Sequence, residues 1–488
     1  MTAVLDALDA RAPTEVVLRD GTTTLDAAAL RARIAAVAEA LAGLPPGPVA
    51  SRLDNGLDWV VLDLALQASA RAHIALPPFF SPAQAEHAQQ AAVAVALPAA
   101  LAGASAIDGS AFALRQRLVP ALPVPAGTAI VTYTSGSTGV PRGVCLDAAL
   151  PHSVAAALAA AMAPLDVRRH LCVLPLGVLL EAIGGVYAPL LAGGEIALPA
   201  LAELGHGGSG ALDVLRLLAT LAHFQPNSLI VVPQLLQALV HAAESGAQLP
   251  RSLRMIAVGG ARVAPRLLER AAALDLPVYE GYGLSECASV VCVNRPGAQR
   301  PGSVGRVLPH TGVRISADGE VLVTGPRFLG YRGEGPPPAG PYATGDLGAF
   351  DADGFLSLRG RRKAMYITAW GRNVSPEWIE SELTQHPAIA QALAWGEGRT
   401  QAVALLVPRR ADATEAELER AVAEVNAGLP AYARIGAVLR ADAPFTTANG
   451  LLTGNGRLRR EAALARHGAA LAACPDGVPE HSPQDLPA

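Results

Sequence analysis

Lysine is almost missing from this chain. Of 38 basic residues a single one, Lys363, is lysine, and the rest are arginine. Codon drift in a GC-rich genome accounts for such a bias, and a lysine that survives it marks a position to examine. Blocks of like charge are missing as well: the net charge is −4 and charged residues make up only 16%. That excludes the basic stripe of a nucleic-acid-binding surface. The five cysteines (Cys145, Cys172, Cys287, Cys292 and Cys474) are odd in number and form no CxxC pair. This argues against a disulfide framework or a zinc motif and fits a reducing cytoplasm. The N-terminus carries acids where a secretion signal has basic residues, and no apolar segment follows. Two apolar stretches, residues 91–107 and 171–194, are broken by proline, glutamate or glycine. Neither provides the ~20 apolar residues of a membrane span. The expectation is a cytoplasmic protein with no nucleic-acid partner and no stable membrane insertion; oligomeric state is not legible.

What is present is alanine and leucine. Hydrophobic residues make up 51% of 488 residues, which describes a globular chain with many helices and two or three domains. The first ~120 residues alternate alanine-rich helical stretches (25–41, 82–92) with short apolar runs such as 59–66. Strand-like runs then recur at 129–133, 171–174, 228–232 and 255–258, with amphipathic segments (214–222, 264–273) between them. That rhythm predicts an α/β fold of parallel strands with crossover helices. Residues 302–358 change to short strands between Gly, Pro and Asp turns, the texture of a small β module. After Gly360 helices at 376–385 and 415–427 surround strands near 402–407. The expected organisation is a large N-terminal unit over 1–359, a smaller mobile α+β unit over 360–473, and a disordered tail over 474–488.

The strongest chemical signal is residues 133–143, YTSGSTGVPRG, directly after the strand-like AIVT. Glycine lets backbone N–H groups approach an anion, and Thr134, Ser135, Ser137 and Thr138 add hydroxyls around Gly136 and Gly139. Such a loop suits a polyphosphate, although a Gly/Ser/Thr run alone is more often a flexible turn. It is not a Walker loop, because no Gly-Lys-Ser/Thr ending follows.

At this loop the sequence resembles the acyl-adenylate-forming superfamily, the AMP-dependent synthetases and ligases that include acyl-CoA synthetases. Five motifs match in order between Tyr133 and Arg460. The resemblance implies roles for the remaining residues. In YEGYGLSE (279–286), Tyr282 would face adenine, Ser285 the α-phosphate and Glu286 a Mg²⁺ ion, which favours oxygen ligands. Gly259, Gly260, Ala261 and Gly283 would line the adenine and acyl pocket. In YATGDL (342–347), Asp346 would hold the ribose hydroxyls. In GRRKAMYITAWGRNVSPEWIE (360–380), Arg361 would contact ribose and phosphate, Lys363 would be the hinge between two domain orientations, and Gly371 would leave room near a thiol channel. In GNGRLRR (454–460), Arg457 stands where the family carries its adenylation lysine, and Arg142 likewise replaces a phosphate-loop lysine. Both departures put the rate of the first step in question. In LPLGVLLEAIGGVYAPL (174–190), Val178, Glu181 and Gly184 would border the acid.

No aspartate stands ready for a substrate ammonium, which disfavours amino acids. The implied cofactors are ATP and Mg²⁺, with coenzyme A or a phosphopantetheine thiol as acceptor. The implied partner is a small carboxylic acid, fatty acyl before aromatic, with an acyl carrier protein as a further possible partner. Two rivals are a degenerate nucleotide-binding member without catalysis and a luciferase-like oxygenase.

Overall fold

Short Val/Ile/Leu runs closed by Gly, Pro or Asn form strands, and the alanine–leucine segments between them form helices, in the computed structural model of the chain. It describes residues 2–118, 120–134, 141–206, 212–453 and 456–476. A nine-stranded sheet runs in parallel from Val278–Tyr282 through Met255–Val258, Ser228–Val231, Arg169–Leu171 and Glu195–Ala197 to Val16–Arg19. Parallel pairing buries both faces under helices, so these strands read as continuous apolar runs rather than alternating ones. The parallel register sends the C-terminal ends of three neighbours to one edge. Val232, Gly259 and Gly283 therefore meet there, the place where open α/β sheets bind ligands.

The second sheet has seven strands, in the order Gly330–Tyr331, Arg142–Leu146, Ile130–Thr134, His73–Ala75, Val49–Ser51, Ala94–Pro98, Phe112–Gln116. The single strand rhythm of the sequence is thus divided between two sheets. Ile130–Thr134 pairs in parallel with His73–Ala75, in a different sheet from the strands at 169–171, 228–231 and 255–258. Ile130–Thr134 and Arg142–Leu146 form an antiparallel pair in which Thr134 faces Arg142, so the glycine-rich segment connects adjacent strands.

Three details depart from the expectation. The apolar run at 59–66 belongs to a helix, Leu57–Ala68, buried along most of its length. It carries Asp63, which is tolerated because His73, Tyr187 and Gln67 all hydrogen-bond its carboxylate at 2.7–2.9 Å. The strand expected at 171–174 lies at Arg169–Leu171; beyond it the Leu174 carbonyl accepts from the Asn55 side chain at 2.8 Å instead of continuing the ladder. The tail, expected to be disordered from Cys474, is anchored at its start. Arg399 donates to the Cys474 and Pro475 carbonyls, and Thr400 donates to Asp476. Residues 477–488 lie outside the described residues.

The turn-rich segment folds into a four-stranded antiparallel sheet: Gly312–Ile315, Glu320–Thr324, Tyr342–Phe350 and Leu356–Arg361. After Arg361 the described strands pair only among themselves. A hairpin (Tyr366–Ile367 with Asn373–Val374) and a three-stranded sheet (Ile389–Trp395, Ala402–Pro408, Ile435–Arg440) pack against helices Pro376–Leu383, Glu415–Asn426 and Arg460–Ala473. Ile379, Leu383, Leu406, Leu418 and Val422 fill a core of their own. This part meets the larger one through polar contacts: Gln237 donates to the Thr384 carbonyl at 2.6 Å, Arg270 to Gln385 at 3.3 Å, and Arg266 lies 3.8 Å from Glu382. Such contacts separate at lower cost than a packed apolar seam. Among the described residues no helix is long and apolar enough to cross a membrane.

Candidate active site

A cleft of about 3570 Å³ opens along the strand ends and under the C-terminal part of the chain. Most of the residues singled out by sequence border it. Gly259 and Gly260 follow strand Met255–Val258. Gly260 adopts a φ of +82°, which glycine reaches without strain. Gly283 follows strand Val278–Tyr282, and a Cβ there would fall on the Ser289 carbonyl, so only glycine fits. These constraints keep the strand-end wall low where a flat ring could lie.

Asp346, on strand Tyr342–Phe350, is 6% exposed. The Tyr282 hydroxyl donates to its Oδ2 at 2.6 Å, and Arg361 Nε lies 2.8 Å from Oδ1. Burial raises its pKa, while Arg361 and the tyrosine bond pull the other way. The register that sets Asp346 opposite Arg361 on the neighbouring strand produces the pair. Arg457 reaches the same corner: a Cβ on Gly260 would lie 3.7 Å from its Nη2. Its guanidinium is desolvated by the cleft wall and opposed by Arg361, and supported by Glu377 and Asp346, although the residue keeps an exposed flank. Arginine holds its charge through such effects. Thr453 fixes the loop by accepting from the Arg457 N–H at 3.0 Å. Lys363 is exposed, in a turn directly after Arg361, at the cleft rim.

Glu286 stands in the short turn Ser285–Cys287, beside Ser285, and both face the cleft. The Tyr331 hydroxyl donates to Glu286 Oε1 at 2.7 Å. Arg142 stacks 3.5 Å above the Tyr331 ring and pairs with Glu334 at 2.8 Å through two oxygens. Arg142 therefore steadies the tyrosine that hydrogen-bonds Glu286. Tyr331 and Glu334 went unread in the sequence because no short motif joins them to Glu286; only the antiparallel pairing of Gly330–Tyr331 with Arg142–Leu146 does. Glu280 also went unread. It lines the cleft, and burial pushes its pKa up to about 8 against the pull of Arg262.

Thr134 lies at the cleft edge. Ser135, Gly136, Ser137, Thr138 and Gly139 lie outside the described residues. Val178, Ala261 and Gly184 border the cleft. Gly184 permits close packing, because a Cβ there would lie 2.6 Å from Ile230 Cδ1. Two residues are placed elsewhere. Glu181, expected beside the acid, is fully buried and turned away from the cleft toward His170 and Cys172. Gly371, expected near a thiol channel, sits in an exposed turn with open space where a Cβ would point. Its φ of +72° is what calls for glycine.

Comparison with known proteins places this geometry. Residues 5–331 match the family model described as AMP-binding enzyme, and 364–473 match that of the AMP-binding enzyme C-terminal domain. The chain is 40% identical over 159 residues to a long-chain-fatty-acid–CoA ligase, FadD15 of Mycobacterium bovis, covering 31% of this chain and 26% of that protein. It is 31% identical over 282 residues to 2-succinylbenzoate–CoA ligase of Bacillus velezensis, covering 54% and 55%. The matches thus span about a quarter to about half the length of these curated relatives. Among solved structures, the anthranilate CoA ligase AuaEII in complex with anthranoyl-AMP superposes with a TM-score of 0.78 at 18% identity, covering 96% of this chain and 98% of that one, a likeness of fold. With a matching family model over two-thirds of its length, this chain belongs to the AMP-binding enzyme family.

Proposed function

We propose that the protein activates a carboxylic acid with ATP to an acyl-adenylate and passes the acyl group to a thiol, that of coenzyme A or of a carrier-protein phosphopantetheine. The observation that carries this reading is the convergence of Asp346, Arg361, Tyr282 and Arg457 on the strand-end glycines of one cleft, with Glu286 on its wall. Asp346 is placed to accept from ribose hydroxyls, and Arg361 and Arg457 offer donors to phosphate. The Glu286 carboxylate and phosphate oxygens are the donor set that suits Mg²⁺, which supplies charge neutralisation when it arrives with ATP. Arg457 stands between two anions as they converge, and Ser285 offers a hydroxyl to the α-phosphate. The C-terminal part then turns about the Arg361–Lys363 segment, withdraws Arg457 and admits the thiol. The polar contacts of Gln237, Arg266 and Arg270 with that part would break in the turn.

The acid we favour is an extended apolar acyl chain. Besides the strand-end residues, the cleft is bordered by apolar groups that include Leu158, Met162, Gly184, Ala188, Ile230 and Ala257. Apolar walls reward methylene groups at about 0.8 kcal/mol each. ATP–pyrophosphate exchange across fatty acids of increasing length and benzoates, followed by thiol-acceptor assays, tests both parts. Exchange strongest with medium or long fatty acids supports the reading; exchange with benzoates alone replaces the substrate; absence of exchange with every acid removes the catalytic reading.

A further inference from the structure

Directly beneath the acyl channel, three donor groups face one another in the core. His170, on strand Arg169–Leu171, Cys172 just after it, and Glu181 all have their donor atoms within 4.8 Å of one another, the one such group of His, Cys, Asp or Glu among the described residues. His170 is 1% exposed, and Cys172 and Glu181 are 0% exposed. His170 Nε2 lies 3.3 Å from Glu181 Oε1, while Glu181 Oε2 has no hydrogen-bond partner. Cys172 Sγ makes a long contact, 3.6 Å, to the Gly185 carbonyl and also interacts with the Glu181 carboxyl group. An unpartnered carboxylate oxygen this deeply buried is costly, and its presence asks for a partner.

The space among these groups is kept open by Gly185. A Cβ there would lie 2.7 Å from Glu181 Oε1, 2.8 Å from His170 Nε2 and 3.2 Å from Cys172 Sγ. One point is therefore ringed by nitrogen, oxygen and sulfur. Gly185 belongs to a π-helical turn, Ala182–Tyr187, a rare distortion that recurs at functional positions. The outer ring nitrogen of the histidine is also engaged: His170 Nδ1 lies 2.8 Å from Ser228 Oγ. That is how a metal-bound imidazole is oriented by a second partner.

We infer that His170 Nε2, Cys172 Sγ and the Glu181 carboxylate form a structural site for a zinc-class dication above Gly185. The donor set selects the metal. Imidazole and thiolate together suit Zn²⁺, whereas Mg²⁺ takes oxygen ligands and keeps water. Tetrahedral zinc holds its donors about 3.3–3.8 Å apart at bond lengths near 2.0–2.3 Å. The His170–Glu181 separation already falls in that range. On binding, the Cys172 thiol gives its proton to solvent, Glu181 binds as the carboxylate, and no electrons move. Dication, thiolate and carboxylate then sum to zero charge, which a core accepts. Entry is through the channel, since His170 and Gly184 border it. No CxxC spacing announces the site, because its three ligands meet only through a strand and a distorted helix. The inference stands apart from the proposed reaction, whose Mg²⁺ would arrive with ATP at Glu286.

The test is metal content of the full chain, purified without chelator or affinity metal, before and after dialysis against chelator and reloading with Zn²⁺ or Co²⁺ alone. About one tightly held Zn²⁺ per chain is expected. Co²⁺ should give a thiolate charge-transfer band that Cys172→Ala abolishes and Cys292→Ala retains. Glu181→Gln should weaken zinc retention at least tenfold. Circular dichroism checks that each variant is folded, and a further variant, Gly185→Ala, fills the ringed space from the other side. Zinc at background in the wild type with no Co²⁺ band would overturn the inference and leave a buried hydrogen-bonded trio. So would a band that survives Cys172→Ala.

Discussion

Replacing Arg457 by alanine should separate the two proposed half-reactions. In the proposed first step a carboxylate and the α-phosphate close to ~4 Å, where two unit charges repel by about 4 kcal/mol at an effective dielectric near 20. Arg457 is the cation that reaches Gly260 at the strand ends, and Arg361 stays committed to Asp346 at 2.8 Å, so it replaces little of the loss. Allowing for solvent in so wide a cleft, about 2–4 kcal/mol of the barrier rests on Arg457, or roughly 30- to 1000-fold in rate. The side chain projects from a surface loop, so its removal leaves the core intact. ATP–pyrophosphate exchange should therefore fall by that factor, while thioester formation from supplied acyl-adenylate should change less than about threefold. Arg457→Lys should recover most of the exchange, because charge rather than fork geometry is what the step needs. Equal losses in both half-reactions would refute the reasoning, as would an alanine variant that exchanges at the wild-type rate.

Three further outcomes follow from other parts of the site. Gly184→Val places branched carbon against Ile230, where a bare Cβ already lies 2.6 Å away. It should lower kcat/KM for long acids by tenfold or more and spare short ones, measured by exchange across a chain-length series. Tyr331→Phe removes the 2.7 Å hydrogen bond to Glu286 and keeps the ring under Arg142. Exchange should drop about tenfold, the equivalent of ~1.4 kcal/mol, and titration with Mg²⁺ should show a raised requirement. Glu280 governs pH behaviour. Burial raises its pKa from 4.5 to about 8, so the folded protein holds a proton that the unfolded chain releases. Stability contributed by that proton is complete below about pH 4.5 and is lost as pH rises through 8. Tm of wild type should decline across this window, and Glu280→Gln should flatten the decline and melt higher than wild type above pH 8.

The sequence was most informative where backbone shape is rigidly specified. At the strand ends Gly260 has a positive φ, Gly283 meets a crossing carbonyl and a Cβ on Gly259 would lie only 3.2 Å from the Gly281 carbonyl, so their pattern in the chain is the pattern in space. Periodicity located most helices to within a few residues: those expected at 25–41, 264–273 and 415–427 appear as Ala27–Ala42, Pro265–Ala273 and Glu415–Asn426. It failed at 59–66, because an apolar run buried on every side carries no period to distinguish helix from strand. The resemblance, not periodicity, put Glu181 beside the acid, and the structure buries it instead. A helix position reads the same in sequence whether its side chain faces a channel or a core, and here the π turn after it rotates the following residues. Tyr331 and Glu334 were illegible for a different reason: their relation to Glu286 and Arg142 exists only across paired strands far apart in the chain.

The solitary lysine has a practical consequence. Lys363 is exposed in the turn that links the two parts of the chain. An amine-reactive dye would mark no other side chain, and it would do so without any engineered residue. With the α-amino group blocked or its label accounted for, fluorescence polarisation from Lys363 would report the proposed turning of the smaller part, with nucleotide and acid added in sequence. The scarcity of lysine thus leaves a built-in labelling position at the proposed pivot.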